Sequence, residues 1–232
     1  MEYVVPEYEV TIGSSFWAVI RKRERDMIEY APVIEIPIIK ELGLARTMAE
    51  VEIYASGIIF DYLNRTSGAE ISLKAVALPT DLLIDLEGET DADGFVISKT
   101  TNVAKEFAFG YWSENSDGSY VYFWHPVCKL VPADENRRTR TNNIPEPDAA
   151  YKIKIMPFND IWRVKYLTNR ADGAVLSREE FFRTPIFSET NLPVAAVPEI
   201  PVVPETPEIS ETPPVDVDVE DGDLGNEGES DD

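Results

Sequence analysis

Five segments in the middle of the chain alternate apolar and polar side chains with a period of two, and this pattern constrains the fold more than any other feature. The segments are residues 50–63, 69–78, 106–112, 119–124 and 150–156. A two-residue period is typical of β-strands with one buried face, and Ile, Val, Tyr and Phe are residues that strands prefer. The chain is therefore expected to be mainly antiparallel β-sheet.

Two short helices are expected to interrupt the sheet. Pro79 at a first helical position and Gly88 as a stop predict one helix between strands. Ser177 followed by Glu180 has the spacing of a capping box, which predicts a second, C-terminal helix. With a turn at residues 64–68, the pattern gives about seven strands. Short strands joined by turns favour a β-sandwich or a small barrel.

Composition divides the chain into three parts. Residues 189–232 hold seven of the 17 prolines and no aromatic residue, so they are predicted to be a disordered Pro/acid-rich tail. Residues 1–29 contain a cluster of apolar residues at 16–20, followed by a run of charged residues, and we interpret them as an N-terminal arm. Residues 30–188 are expected to form the β domain.

Charge and hydropathy exclude several classes of protein. Thirteen of the 22 net negative charges come from residues 191–232, which leaves nine on the first 190 residues. An acidic body argues against a nucleic-acid binder. No run of 18 apolar residues and no basic, apolar start is present, so neither a membrane span nor a secretory signal is expected. The single cysteine, Cys128, indicates a reducing site of synthesis.

The reactive residues form no catalytic constellation in the sequence. The only histidine, His125, lies in an aromatic strand without an evident partner, and a general base needs a positioned partner. His125 with Cys128 supplies two ligands, whereas structural zinc takes four. We therefore expect a protein that is not an enzyme, with no catalytic residue, cofactor or metal ligand.

Clustered carboxylates are likewise interpreted as neither catalytic residues nor metal ligands. The pairs Asp81 with Asp85 and Asp91 with Asp93 are interpreted as solvated surface groups rather than as a glycosidase pair. Acids in the segment 216–227 match several positions of an EF-hand calcium loop, but Asp221 stands where that loop needs glycine.

Three arginines in a polar loop are candidate inter-subunit contacts. Arg137, Arg138 and Arg140 lie in the loop 133–148, without interleaved aromatic residues for base stacking. In a protein with an acidic body, we expect them to contact an acidic patch on a neighbouring copy.

The order of these elements resembles that of the major tail proteins of long-tailed bacteriophages. Paired alternating strands, a Pro-started helix that ends in Gly-Glu, a short Asp/Gly loop, an aromatic hairpin and a lysine-studded strand follow one another. The matching stretches are YAPVIEIP (30–37), EVEIYASG (50–57), TSGAEISLKAVALPTDLLIDLEGE (66–89), DGFVIS (93–98), EFAFGYWSENSDGSYVYFWHPVCKL (106–130) and NNIPEPDAAYKIKIMP (142–157).

The resemblance implies a structural virion protein with the β-sandwich of the phage tail tube. Six copies would form a ring, and stacked rings would form the tube through which DNA passes without specific binding. Its partners would be copies of itself and the tape-measure and tail-terminator proteins of the same tail. It would be made in the bacterial cytoplasm and located in the virion tail.

Two other functions remain open. One is a different β-rich virion component, such as a head–tail connector or a capsid decoration protein. The other is a carbohydrate-binding β-sandwich module whose binding depends on Trp112, Trp124 or Trp162.

Overall fold

The structure, a computed structural model, describes residues 8–37, 39–55, 58–132, 149–171, 173–193 and 195. The described residues belong to one compact unit, and residues 196–232 lie outside the described part. In the described ranges there are eleven strands and two α-helices. They are β1 (Glu9–Arg23), β2 (Ile28–Tyr30), β3 (Ile34–Ile36), β4 (Ile39–Ala55), β5 (Ile58–Ala75), α1 (Thr80–Glu87), β6 (Thr90–Ala92), β7 (Phe95–Ile97), β8 (Glu106–Asn115), β9 (Tyr120–Val131), β10 (Ala149–Met156), β11 (Val164–Leu167) and α2 (Arg178–Phe182).

The predicted fold class is confirmed. The chain is mainly β, its sheets are antiparallel, and it has one short helix between strands and another near the C-terminal end of the described part. The strand count exceeds the expected seven mainly because β1 and the three-residue strands β2 and β6 were not predicted from the sequence. No described helix has the length and apolar character needed to cross a bilayer.

Nine strands form one sheet in the order β2-β1-β8-β9-β10-β5-β4, with β3 also paired to β1 and β11 also paired to β9. The sheet curls on itself, because Leu42 and Leu44 of β4 pack against the same core as Trp17 of β1 although these strands stand near opposite ends of the strand order. Strands β6 and β7 pair only with each other and form a separate small hairpin in the described part.

The concave face of the sheet holds the larger core. Trp17, Phe107 and Phe109 form an aromatic group, with the Trp17 ring 5.0 Å from Phe107 and 4.9 Å from Phe109. Leu82 and Leu86 of α1 pack into this core, which closes the end of the sheet where β5 finishes and β8 begins.

The other face of β1, β8 and β9 carries a second core, covered by α2 and the residues around it. Phe182 stacks on Phe16 at 3.8 Å, and Phe181 packs on the same cluster. The predicted capping box of α2 is present. The Ser177 hydroxyl accepts a hydrogen bond from the Glu180 amide at 3.2 Å, and the Glu180 carboxylate accepts one from the Ser177 amide at 2.9 Å.

The interpretation of residues 1–29 as an arm is wrong for the described residues 8–29. Residues 9–23 form β1, which lies between β8 on one edge and β2 and β3 on the other. Trp17 and Val19 face the larger core, whereas Phe16 and Ala18 face the second core. A strand buried on both faces has a continuous apolar run instead of alternation, which is why it escaped the two-residue pattern.

The turn expected at residues 64–68 is also wrong. These residues belong to β5, and the chain reverses between Ala55 and Ile58. The Ser67 hydroxyl donates to the Thr47 carbonyl at 3.2 Å across the hairpin, and a register shift lies between Thr47 and Met48. The polar, turn-forming residues 64–68 therefore lie at a register shift within the hairpin, not at the point where the chain reverses direction.

The C-terminal boundary at residue 188 lies slightly too early. Residues Glu189–Asn191 form a 3₁₀ turn, and the Asn191 side-chain oxygen accepts from the amides of Phe187 and Ser188 at 3.1 and 2.9 Å. Ala195 packs against the second core. The predicted disorder of residues 196–232 falls outside the described residues.

Replacing Gly88 with alanine is expected to destabilise the fold by about 2 kcal/mol or more. Gly88 ends α1 with φ of 69°, and a Cβ there would lie 2.5 Å from the Val103 carbonyl oxygen. Left-handed backbone alone costs an L-residue roughly 1–2 kcal/mol. Gly94, with φ of 83° and open space around its missing Cβ, supplies the matched control. Urea unfolding should show a larger loss for Gly88→Ala, and equal losses would contradict the close contact.

Candidate functional site

The long hairpin of β4 and β5 extends beyond the rest of the sheet. Strand β10 pairs with β5 only from Ala69 to Ala75, and β4 pairs with no described strand except β5. Residues 47–55 and 58–68 therefore form a two-stranded ribbon, which we call the arm. At the usual rise per residue, the nine residues of its β4 strand span about 30 Å.

Two free edges accompany the arm. Strand β4 ends the strand order, so its outer edge has no partner strand in the described part along Ile39–Ala55. At the other end of the order, β3 pairs with β1 from residue 15 to 17 and β2 from residue 20 to 23, so residues 9–14 lack an outer partner within the described ranges. Unpaired edges are templates for pairing with another chain.

The curled sheet leaves a space between β4 on one side and β1, β8 and β9 on the other, and we call this space the mouth. A cavity of about 270 Å³ lies there, with Leu42, Leu44 and Phe123 on its apolar side and Arg163 and Lys165 on its charged side. The remaining lining comes from Glu9, Ile12 and Tyr111.

Cations crowd the mouth. The guanidinium groups of Arg46 and Arg163 lie 5.5 and 4.6 Å from the ring of Trp162, and the Lys165 amine lies 5.5 Å from the ring of Phe123. Partial burial and the charge of Arg46 lower the pKa of Arg163. No salt bridge to any of these three cations occurs among the described residues.

A buried phenol lies at the base of the mouth. Burial, reinforced by the nearby carboxylate of Glu9, raises the pKa of Tyr111 to about 12, so this hydroxyl stays protonated at physiological pH. The mouth therefore presents a neutral phenol and two positive side chains, Arg163 and Lys165, above an apolar floor, with Glu9 as the one carboxylate of its lining. The excess of positive charge suits an anionic group attached to an apolar body.

The small hairpin of β6 and β7 exposes a cluster of apolar side chains. Phe95 is 73% exposed, Val96 and Ile97 are 45% exposed, and nearby Val103 is 75% exposed. Residues 89–98 also contain three carboxylates and no Lys or Arg. Several exposed apolar side chains close to carboxylates are typical of a protein interaction surface.

The second face of the sheet carries an aromatic cleft of about 300 Å³. Trp112, Tyr120 and Tyr122 line it together with Arg178 and Glu179 from the start of α2. Trp112 and Tyr120 meet edge to face at 5.7 Å, and the Arg178 guanidinium lies 5.5 Å above the Trp112 ring. Such a surface could bind a flat or ring-shaped ligand.

The two reactive residues singled out in the sequence are buried. The Cys128 thiol is enclosed in the larger core, and burial raises its pKa, so it is a core residue rather than a nucleophile. The His125 Nδ1 lies 3.0 Å from the Trp162 carbonyl oxygen. Because a carbonyl only accepts, Nδ1 carries the proton, and Nε2 is buried without a partner.

His125 is expected to make the fold acid-sensitive. Burial lowers its pKa from 6.5 to about 4. Between these two pH values the imidazole is protonated in the unfolded chain but neutral in the folded chain. The free energy of unfolding therefore decreases as the pH falls from about 6.5 towards 4. The full loss is about 3 kcal/mol at 1.36 kcal/mol per pKa unit. The difference in unfolding free energy between the wild type and His125→Asn, which keeps a donor to Trp162, should change across this interval. A constant difference would contradict burial of a neutral imidazole.

The other predicted candidates have separate positions. Asp81 and Asp85 both lie on α1, where Asp85 forms a salt bridge with Lys105, and Asp91 and Asp93 lie on the small hairpin. No group of three or more metal-ligating side chains occurs in the described part. Arg137, Arg138 and Arg140 and the acidic segment 216–227 fall outside the described residues.

The residues of the mouth were not predicted as a site from the sequence. Trp162 and Arg163 are adjacent in the chain, but Arg46 lies on a strand far from them in sequence, and only the curled sheet brings it to the same indole ring. Nothing in the pattern of residues 40–49 indicated a strand with a functional side chain. Comparison of the sequence with models of protein families and with curated proteins finds no match to either.

Proposed function

We propose that this protein is a structural virion protein that polymerises as stacked hexameric rings and forms the tail tube of a long-tailed bacteriophage. The observation that carries the proposal is the arm, a ribbon about 30 Å long whose strands find no further partner in the described residues. A ribbon of this kind is stabilised when another copy covers it or continues its sheet.

The free edges support the same proposal. An unpaired β4 at one end of the sheet order and the unpaired start of β1 at the other are different surfaces. Contact between two different surfaces is heterologous, and a repeated heterologous contact closes into a ring when the rotation from copy to copy divides a full turn. Sheets joined in this way would form a continuous wall around a central channel.

The resemblance noted in the sequence supplies the number six and the passage of DNA. The structure has a helix after the long hairpin, then a small Asp/Gly hairpin, then the aromatic pair β8 and β9, in the order on which the resemblance rests. His125 and Cys128, the two most reactive side chains singled out in the sequence, are buried and cannot contact a substrate at the surface, which suits a structural role.

The experiment that tests this function measures the protein in particles. Mass spectrometry of purified virions from the source phage should rank this chain among the most abundant proteins, because a tube contains many copies. A head–tail connector would be present in few copies, and absence from virions would refute the proposal.

The aromatic cleft favours carbohydrate binding as a second candidate function. Tyr120 is 39% exposed beside Trp112 and Arg178, and aromatic rings with polar neighbours can hold a sugar ring. Trp124 is excluded as a contact because it is fully buried. Glycan-array binding that Tyr120→Ala abolishes would support this candidate, and an array without signal would remove it.

A further inference from the structure

The mouth and the small hairpin are two different surfaces of the domain. The hairpin of β6 and β7 follows α1 and leads into Glu106 at the start of β8. The mouth lies towards the end of β8, where Ile12 of β1 pairs with Ser113. Tyr111 of the mouth lies five residues beyond Glu106 on β8, about 17 Å at the usual strand rise, so the two surfaces are separated along the direction of the strands.

The two surfaces complement each other in charge. The mouth carries Arg46, Arg163 and Lys165 with Glu9 as the only acid of its lining, whereas residues 89–98 carry only acids. Arg46 and Arg163 flank one indole ring, and the Glu9 carboxylate is close enough to Arg163 to offset part of their mutual repulsion. Neither guanidinium forms a salt bridge among the described residues, so a further anion from outside would relieve the rest of the repulsion.

The two surfaces also complement each other in their apolar parts. Phe95 projects into solvent at the tip of the hairpin with Val96 and Ile97 behind it. The mouth offers a concave floor formed by Leu42, Leu44 and Phe123. An aromatic side chain that fills a concave pocket within a charged rim is the usual energetic centre of a protein–protein interface.

We propose that the small hairpin of one copy inserts into the mouth of a second copy, with Phe95 on the apolar floor and Asp91 and Asp93 beside Arg163 and Lys165. Hairpin and mouth are different surfaces separated along the strands, so the contact repeats along one axis without closing. The inference rests on the proposed function, in which rings stack: edges and arms join copies within a ring, and this contact joins one ring to the next.

Disulfide trapping tests the contact directly. Ala92→Cys and Lys165→Cys proteins are mixed and oxidised, and the disulfide-linked dimer is measured by non-reducing electrophoresis. Ala92 is exposed on β6 directly opposite Phe95, so Phe95 itself stays in place. The native Cys128 is fully buried and stays silent. Val175, 51% exposed on the loop before α2, provides the control cysteine. We expect dimer from the Ala92→Cys and Lys165→Cys mixture to form about tenfold or more faster than from Ala92→Cys with Val175→Cys, because docking raises the effective concentration of the thiols.

Charge reversal is a second, independent test of the contact. Lys165→Glu and Asp91→Lys should each shorten or abolish stacks seen by electron microscopy, and the double variant should restore them. Rings and tubes with equal trapping in both mixtures would overturn this inference and leave the proposed function standing. Selective trapping without rings would support the contact and refute the tube. Monomers without trapping would overturn both.

Discussion

Shortening the arm is expected to leave a folded monomer that no longer assembles. The change replaces residues 50–64 with Asn-Gly, which joins Ala49 to its partner Arg65 through a two-residue hairpin turn. Pairs closer to the core, such as Leu44 with Ile71, remain, and β10 still pairs from Ala69 onward. Because the removed residues pair only with each other in the described part, the free energy of unfolding should change little.

Sedimentation velocity measures the assembly of the shortened protein, and far-ultraviolet circular dichroism measures its fold. A variant that ends at residue 197 serves as the control, because the compact unit ends there and that variant keeps the arm. We expect the control to sediment as oligomers and the shortened protein to remain monomeric at the same concentration. A shortened protein that still forms rings would show that the arm is not the contact between copies.

Replacing Trp124 with alanine is expected to cost about 3–5 kcal/mol of unfolding free energy, the usual range for removing a buried aromatic side chain. Trp124 is fully buried in the second core, 5.4 Å from the ring of Phe182, and its indole N–H donates to the Phe181 carbonyl at 3.2 Å. Removal leaves a cavity beneath α2 and an unpartnered carbonyl, so the residues around α2 should detach first.

Trp124→Phe separates the two contributions. It keeps most of the ring and loses the hydrogen bond, so urea unfolding should show a loss of about 1–2 kcal/mol. Near-ultraviolet circular dichroism should show loosened aromatic packing for Trp124→Ala alone. A loss below 1 kcal/mol for Trp124→Ala would mean that the indole does not hold the second core together.

Local patterns in the sequence predicted the elements whose signals are local. Helix α1 was recognisable because Pro79 and Gly88 mark its two ends, and Gly88 adopts the left-handed conformation that ends a helix. The capping box of α2 is likewise contained within four residues. Strands with one wet face, such as β10 with Lys152 and Lys154 outward, show their alternation directly.

Features that depend on distant residues were not predictable in the same way. Strand β1 is covered on both faces, and its Ser15 accepts from the Trp17 indole and donates to the Ile36 carbonyl, which hides a polar pair inside the core. The mouth requires β4 and β11 to approach across the curled sheet. No spacing of residues along the chain encodes that approach.

Electron microscopy of the purified full chain at increasing concentration tests self-assembly most directly. We expect negatively stained rings with a central channel and six-fold class averages, and stacks of rings at the highest concentration. Sedimentation velocity on the same samples should show a shift from monomer to large species. A protein that remains monomeric at its highest soluble concentration, with no ring in any image, would contradict the tail-tube function.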